Sequence, residues 1–299
     1  MAYAVGVRDR VEAREGEGTA FVKPVSASAG AEIGGIDLSR PLSEADRLTI
    51  RQAILDYGVV FFRDQNLTPE QHIAFAERFG PININRFFAH VPGYPQIAEV
   101  RKEPEQKINV GGGWHTDHSY DQIPALGSVL VARELPELGG DTIFANLALA
   151  YDALSDGLKR TLEGLNAVHS SRHVFGYQAA AKAPDKVADL KNRIGNPDAA
   201  TQDAIHPVVL RHPESGKKIL YVNPGFTVNF EGWTAEESAS LLAYLYKHAT
   251  RPEFSYRFQW QEGSIAFWDN RSTWHAAVND YHGRRRVMHR ITIEGTPLV

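Results

Sequence analysis

Residues 264–293 read SIAFWDNRSTWHAAVNDYHGRRRVMHRITI. The two ends of this stretch, 264–268 and 287–293, are short, apolar and β-prone, and a charged, Gly-containing turn separates them. Each is too brief for a helix with a buried face but long enough for a strand. Working outward, similar segments recur at 127–132, 141–145, 207–210 and 218–222. Short strands at regular intervals with few helices predict a mainly β chain with flanking helices. The expected core is a double-stranded β-helix, or jelly roll, rather than a parallel α/β sheet.

The flanking helices announce themselves by their caps. Thr68, Pro69 and Gln71 supply an N-cap, a first-position proline and a capping-box partner, with Ile73, Phe75, Ala76 and Phe79 to bury and Gly80 as a stop. A helix from near Ser43 to Gly58 carries Leu48, Ile50, Ile54, Leu55 and Tyr57 on or near one face, and 59–62 then reads as a buried strand. Thr234 and Glu237 form another capping box ahead of Leu241, Leu242, Leu245 and Tyr246. Residues 1–20 carry little to bury and are expected to be a tail. Residues 21–299 are expected to form one domain. Within it, the polar, Ala-rich stretch 178–202 (QAAAKAPDKVADLKNRIGNPDAATQ) reads as a surface insertion or lid with one helical turn or two.

Composition narrows the function. The chain has 299 residues, 43% apolar and 23% charged, which suffices for a substantial core. A net charge of -4 gives no electrostatic case for nucleic acid or an anionic membrane surface. With no cysteine, disulfides, thiolate zinc sites and Cys nucleophiles are excluded, so any metal is held by His, Asp, Glu or backbone oxygen. No apolar run approaches the roughly 20 residues of a membrane helix, and the charged N-terminal stretch lacks a secretory core. A cytoplasmic protein is expected.

Against this background His115-Thr116-Asp117 stands out. In a strand, residues two apart share a face, so His115 and Asp117 could approach one metal while Thr116 faces away. Taken alone, the triplet also fits a half-buried strand with a surface Asp. Its setting favours the metal: Gly111-Gly112-Gly113-Trp114 precedes it, and His275 lies far downstream with Arg286 and Arg290 beyond. Two imidazoles and a carboxylate on one face of a metal leave three positions open. An arginine just beyond the last ligand can hold the far carboxylate of a chelating 2-oxo acid. Arg286 and Arg290 are four apart, so on one strand they share a face about 13 Å apart, and the planar fork of each suits carboxylate, sulfonate or sulfate.

The run Phe267-Trp268-Asp269-Asn270-Arg271, followed by His275, together with Gly139-Gly140-Asp141-Thr142 and Tyr151-Asp152-Ala153-Leu154-Ser155, resembles the taurine dioxygenase family over about 22–296. The family comprises 2-oxoglutarate-dependent oxygenases, aryloxyalkanoate and alkyl sulfate dioxygenases among them. The resemblance implies that His115, Asp117 and His275 bind Fe(II) and are the catalytic residues. It further implies that Thr142 and Arg286 hold the distal carboxylate of 2-oxoglutarate, and that Arg290 pairs with an anionic group of a small-molecule substrate. O2 would be consumed, succinate and CO2 released, and a substrate C–H bond hydroxylated. The carboxylate ligand favours hydroxylation over halogenation. A homo-oligomer, dimer or tetramer, is expected by the same resemblance.

Several positions depart from the taurine-specific members. Asn85 and Phe88 stand where those have His and Tyr, Gly111 replaces Asn, and His118 replaces a small apolar residue, while Phe175 and Phe226 are retained. With Arg290 these are the expected substrate-binding residues. They predict an anion larger and less polar than taurine, a carboxylate, sulfonate or sulfate, with C–O or C–S cleavage where hydroxylation falls beside the heteroatom. His118 is expected at the pocket edge, behind the residues that line it, or on the surface; His289 is expected to be a hydrogen-bonded core residue, and His169, His173, His206 and His212 are expected to be structural or surface residues. Three alternatives predict differently: taurine dioxygenase itself, a non-catalytic jelly-roll binding protein, and a hydrolytic zinc enzyme. The last usually keeps a Glu base near its ligands, and none adjoins this triplet.

Overall fold

The computed structural model describes residues 20–201 and 203–298; the tail expected over 1–20 lies, except for Ala20, outside the described residues. In chain order the first strands are β1 Phe21–Pro24, β2 Ala31–Gly34, β3 Val59–Phe62, β4 Ile82–Asn83, β5 His90–Val91, β6 Tyr94–Lys102, β7 Gly127–Glu134 and β8 Thr142–Asn146. There follow β9 Asn166–Ser170, β10 Asp203–Pro207, β11 Val209–Arg211, β12 Lys218–Leu220 and β13 Thr227–Phe230. The chain closes with β14 Ser255–Phe258, β15 Ile265–Asp269, β16 Thr273–Ala277 and β17 Arg286–Ile293.

The major sheet runs in the order β1-β2-β3-β15-β7-β17-β6-β5, with β4 also on β17, and the minor sheet in the order β14-β8-β16. Their ladders are antiparallel except where β2 lies parallel to β3. Successive residues point to opposite faces and both faces are buried, so β3 is apolar throughout and β15 is apolar up to Asp269. One face of the major sheet, with Val59, Phe61, Leu130, Ala266, Trp268 and Met288, packs on Phe144 and Phe258 of the minor sheet. Phe61 stacks on Phe258 with ring centroids 4.0 Å apart. The other face, with Val60, Phe62, Val129, Phe267 and Ile291, is covered by Ile50, Ile54, Phe75 and Ala76. Burying each of these large side chains contributes about 1.5–3 kcal/mol, so neither face tolerates a polar residue cheaply. The fold is the mainly β jelly roll.

The helices follow their caps. In α1 (Glu44–Tyr57) Ser43 accepts from Asp46 N, and Gly58 ends the helix at φ 81°. Ile50, Ala53 and Ile54 face the sheet, whereas Leu48, expected on that side, is exposed because two residues rotate it about 200° away from Ile50. The expected capping boxes form at α2 (Pro69–Glu77) and at a later helix, Ala235–Ala249. The segment expected at 207–210 is interrupted: β10 ends at Pro207 and β11 begins at Val209, in different sheets. Pro207 has no N–H to continue a ladder.

Candidate metal centre and its cavity

His275 lies on β16 of the minor sheet, and His115 meets it through an isolated antiparallel bridge. His115 N donates to His275 O at 3.1 Å and His275 N to His115 O at 2.8 Å. A pair exchanging both bonds projects its side chains to one face, and the imidazole centroids are 4.2 Å apart. The expected regular strand through 115–117 is therefore a single bridge followed at once by a turn. His118 adopts φ 60°, a left-handed conformation uncommon outside glycine. That turn brings Asp117 Oδ1 within 3.7 Å of His115 Nε2. One ligand atom from each of His115, Asp117 and His275 lies within 4.8 Å of the others.

The protonation states suit a cation. His115 Nδ1 donates to Gly113 O at 2.8 Å, which leaves the Nε2 lone pair free. Burial holds both imidazoles below the ordinary histidine range, His275 well below it, so both are neutral near pH 7. Burial opposes ionising Asp117, but the Arg290 guanidinium and the neighbouring histidines outweigh it and hold the carboxyl below the usual range. Neutral nitrogen donors with one carboxylate oxygen form a donor set that suits Fe(II). Two glycines let backbone close in on His115. Gly111 has φ 75°, with the site of its absent Cβ 3.3 Å from His115 Cε1, and a Cβ on Gly225 would sit 2.7 Å from His115 Cβ.

Arg286 and Arg290 share the inward face of β17, both buried. Arg286 Nε and Nη2 and Arg290 Nε are buried without a hydrogen-bond partner, as is His275 Nδ1. Orphaned buried donors are costly, and an anion beside each arginine would satisfy them. Thr142 Oγ1 accepts from Trp260 Nε1 at 3.0 Å, so its own hydrogen is available to a further acceptor. The triad, Thr142 and both arginines open on one cavity of about 560 Å³. The residues present thus fit a divalent iron with a chelating dianion beside it.

Not every expected residue reaches that cavity. Phe88, Gly111, Phe175 and Phe226 line it, but Asn85 and His118 are absent from its lining. Asn85 Oδ1 accepts from Phe87 N and Phe88 N, and Asn85 Nδ2 donates to His118 Nε2 at 3.3 Å. His118 is buried behind the lining residues rather than on the surface, and donates from Nδ1 to Asp121 Oδ2 at 2.8 Å. Asn85 thus holds the backbone of Phe88, and His118 holds Asn85. His169, His206 and His212 are buried, and His289 is partly buried; His173 lines the cavity. Arg290 carries more than the sequence reading gave it. Its Nη1 contacts Asp117 Oδ1 at 3.0 Å and Oδ2 at 3.1 Å, and its guanidinium lies 4.5 Å from the Phe88 ring centre.

The sequence reading gave the stretch 178–202 as a surface insertion or lid but did not name the residues with which it walls the cavity. Residues 178–202 fold in part as two short helices, Tyr177–Lys182 and Pro184–Asp189. Ala179, Ala183, Val187, Leu190 and Ile194 from this segment line the cavity, with Lys182 and Lys186 beside them. The signal was there: these apolar residues are spaced by four, four, three and four, the stripe of one helical face. Asp189 ties the segment down, accepting from Lys107 N at 3.1 Å, Ile108 N at 3.0 Å and Arg193 Nη2 at 2.9 Å.

A jelly roll presenting two imidazoles and a carboxylate, with buried arginines along one inward-facing strand, defines a non-haem iron oxygenase. The sequence model described as "Taurine catabolism dioxygenase TauD, TfdA family" matches residues 22–292, and the chain belongs to that family. It is 37% identical over 276 residues to an alkylsulfatase of Acinetobacter baylyi, covering 92% of this chain and 84% of the relative. It is 34% identical over 276 residues to an alpha-ketoglutarate-dependent sulfate ester dioxygenase of Pseudomonas putida, covering 92% and 89%. The crystal structure of a taurine dioxygenase from Burkholderia xenovorans superposes with a TM-score of 0.76 at 37% identity, covering 93% of this chain and 90% of that one. The protein is a 2-oxoglutarate-dependent dioxygenase, with Fe(II) and O2 as the family's other requirements.

Proposed function

We propose that His115, Asp117 and His275 hold Fe(II), that Thr142 and Arg286 hold the distal carboxylate of 2-oxoglutarate, and that Arg290 receives the anionic group of the primary substrate. That substrate is an alkyl- or aryl-bearing sulfate, sulfonate or carboxylate larger than taurine, with alkyl sulfate esters foremost. The observation that carries this reading is the cavity. It runs from the triad past Phe88, Val174, Phe175 and Phe226 to the apolar stripe of 179–194, room and surface for a hydrocarbon body rather than for an amine. The names of the Acinetobacter and Pseudomonas relatives support the sulfate ester choice.

Bound iron and 2-oxoglutarate supply the oxidising chemistry: decarboxylation to succinate and CO2 with transfer of one oxygen atom to a substrate C–H bond. The chain's own residues orient and enclose. Arg290 fixes the anion near Asp117, so the carbon bearing the ester oxygen is the one held toward the triad. Phe88, Phe175 and Phe226 grip the apolar body and exclude water. Hydroxylation at that carbon gives a hydroxy sulfate ester, which collapses to an aldehyde and hydrogen sulfate with cleavage of the C–O bond. Lys182 and Lys186, exposed beside the apolar stripe, draw anions to the entrance. A substrate panel of taurine, alkyl sulfates, alkyl and aryl sulfonates and aryloxyalkanoates, read by succinate release, tests the assignment; turnover with taurine alone overturns it.

The wider proposal is a single domain over 21–299, with 178–202 as its lid, acting in the cytoplasm as a homodimer or homotetramer. Among the described residues no helix is long and apolar enough to cross a membrane. Light scattering on the eluted protein tests the oligomer, and a monomer overturns it.

A further inference from the structure

Behind the metal-facing side of Asp117 runs a chain of three side-chain hydrogen bonds whose direction is fixed from one end. Trp268 Nε1 lies 2.7 Å from Asn270 Oδ1. An indole N–H can only donate, so the contact settles which end of the Asn270 amide is oxygen. The other end, Nδ2, lies 3.1 Å from Ser128 Oγ and donates to it. Ser128 has one hydroxyl hydrogen. With a lone pair already engaged by Asn270, that hydrogen goes to Asp117 Oδ2, 3.0 Å away. Trp268, Asn270 and Ser128 are fully buried and Asp117 is 6% exposed, so water does not compete and each bond polarises the next.

The backbone holds this relay in register. Trp268 on β15 is the ladder partner of Ser128 on β7. Asn270 sits between Asp269 and Arg271, whose buried ion pair at 2.6 Å clamps the turn. Thr116 Oγ1 donates to Asn270 O and ties the ligand-bearing loop to the same turn. Arg290 Nη1 is nearly equidistant from the two oxygens of Asp117 and does not choose between them. Ser128 does choose, since its hydroxyl is hydrogen-bonded to Oδ2 alone.

We propose that Ser128, oriented by Trp268 through Asn270, is a positioning residue that engages Oδ2 of Asp117 and leaves Oδ1 as the single oxygen presented to the metal. With a metal bound, engagement of Oδ2 by Ser128 would keep the second carboxylate oxygen from occupying a further coordination position. The inference rests on the reading of His115, Asp117 and His275 as the metal site.

The test is calorimetric titration of the apoprotein with Co(II), paired with the visible absorption of the Co(II) protein, neither of which needs turnover. Ser128→Ala removes the hydroxyl with almost no change in volume, and Ser128→Thr restores it. The expected result is a loss of about tenfold or more in Co(II) affinity for the alanine variant. Its absorption band should shift, and the threonine variant should recover both affinity and band. Alanine-variant affinity within about twofold of wild type with an unshifted band overturns the relay while leaving the site reading intact. Equal losses in the alanine and threonine variants overturn it too, since they mark packing rather than the hydroxyl. A wild-type protein that binds no Co(II) removes the site reading and the relay together.

Discussion

At Arg290 one guanidinium serves both Asp117, through Nη1 at 3.0 Å, and the cavity, where its Nε is buried without a partner. Arg286 has no such second duty, and two of its nitrogens are orphaned. The two arginines should therefore fail differently. Arg286→Ala is expected to raise the KM for 2-oxoglutarate and to leave metal affinity close to wild type. Arg290→Ala is expected to lower kcat/KM for the anionic substrate by about thirtyfold or more, as for a buried charge-assisted contact, and to weaken metal binding as well. Steady-state kinetics varying each substrate, with metal content measured alongside, separates the cases; identical profiles for the two variants contradict it. The triad and the arginines were legible because their chemistry is carried by residue type and spacing. Asn85 and His118 do not reach the cavity lining, because position along the chain does not give side-chain direction. A left-handed turn at His118 sends that ring away from the cavity.

Among the elements, the segment around Tyr177–Lys182 and Pro184–Asp189 forms the outer wall of the cavity. If its lysines draw anions, exchanging Lys182 and Lys186 together for alanine lowers kcat/KM for a long-chain anion at low ionic strength. The deficit then shrinks as salt is added, because exposed charges are screened. A salt-independent deficit, or none, contradicts this. The segment's hold on the body depends on Asp189, whose carboxylate meets two backbone N–H groups and the buried Arg193. Asp189→Ala leaves these donors unsatisfied, at a cost of roughly 1–3 kcal/mol. Limited proteolysis should then cut first within 178–202; cleavage elsewhere contradicts the anchoring. Strands β7, β8, β15 and β17 were readable as short apolar runs. By contrast β16, TWHAA, which carries His275, and β6, which mixes charged and apolar residues, lack that pattern and owe their place to partner strands. The apolar stripe of 179–194 was readable as a helical face but sits in an otherwise polar stretch.

For the molecule as a whole, buried neutral histidines set a pH limit. Burial takes His72 and His169 down to about 3, from an unfolded value near 6.5. Below about pH 6.5 the unfolded chain takes up these protons and the folded one does not, so stability rises with pH through this window and is lost as pH falls. At pH 5 the two together cost roughly 4 kcal/mol relative to pH 7. Apoprotein melts are expected to show a clearly lower melting temperature at pH 5 than at pH 7, and an unchanged one contradicts the account. The jelly roll was legible at this scale because burial on both faces makes core strands such as β3 and most of β15 short, nearly continuous apolar runs. The identity of the substrate was not, because an apolar wall is written in residue types that core packing uses too. The most direct test of the central claim is oxygen-dependent succinate release from the Fe(II)-reconstituted protein with 2-oxoglutarate, compared with and without a medium-chain alkyl sulfate and with taurine. The account predicts strong stimulation by the alkyl sulfate, with aldehyde and sulfate formed in step with succinate and little response to taurine. No succinate from iron-loaded protein, or stimulation by taurine alone, would contradict it.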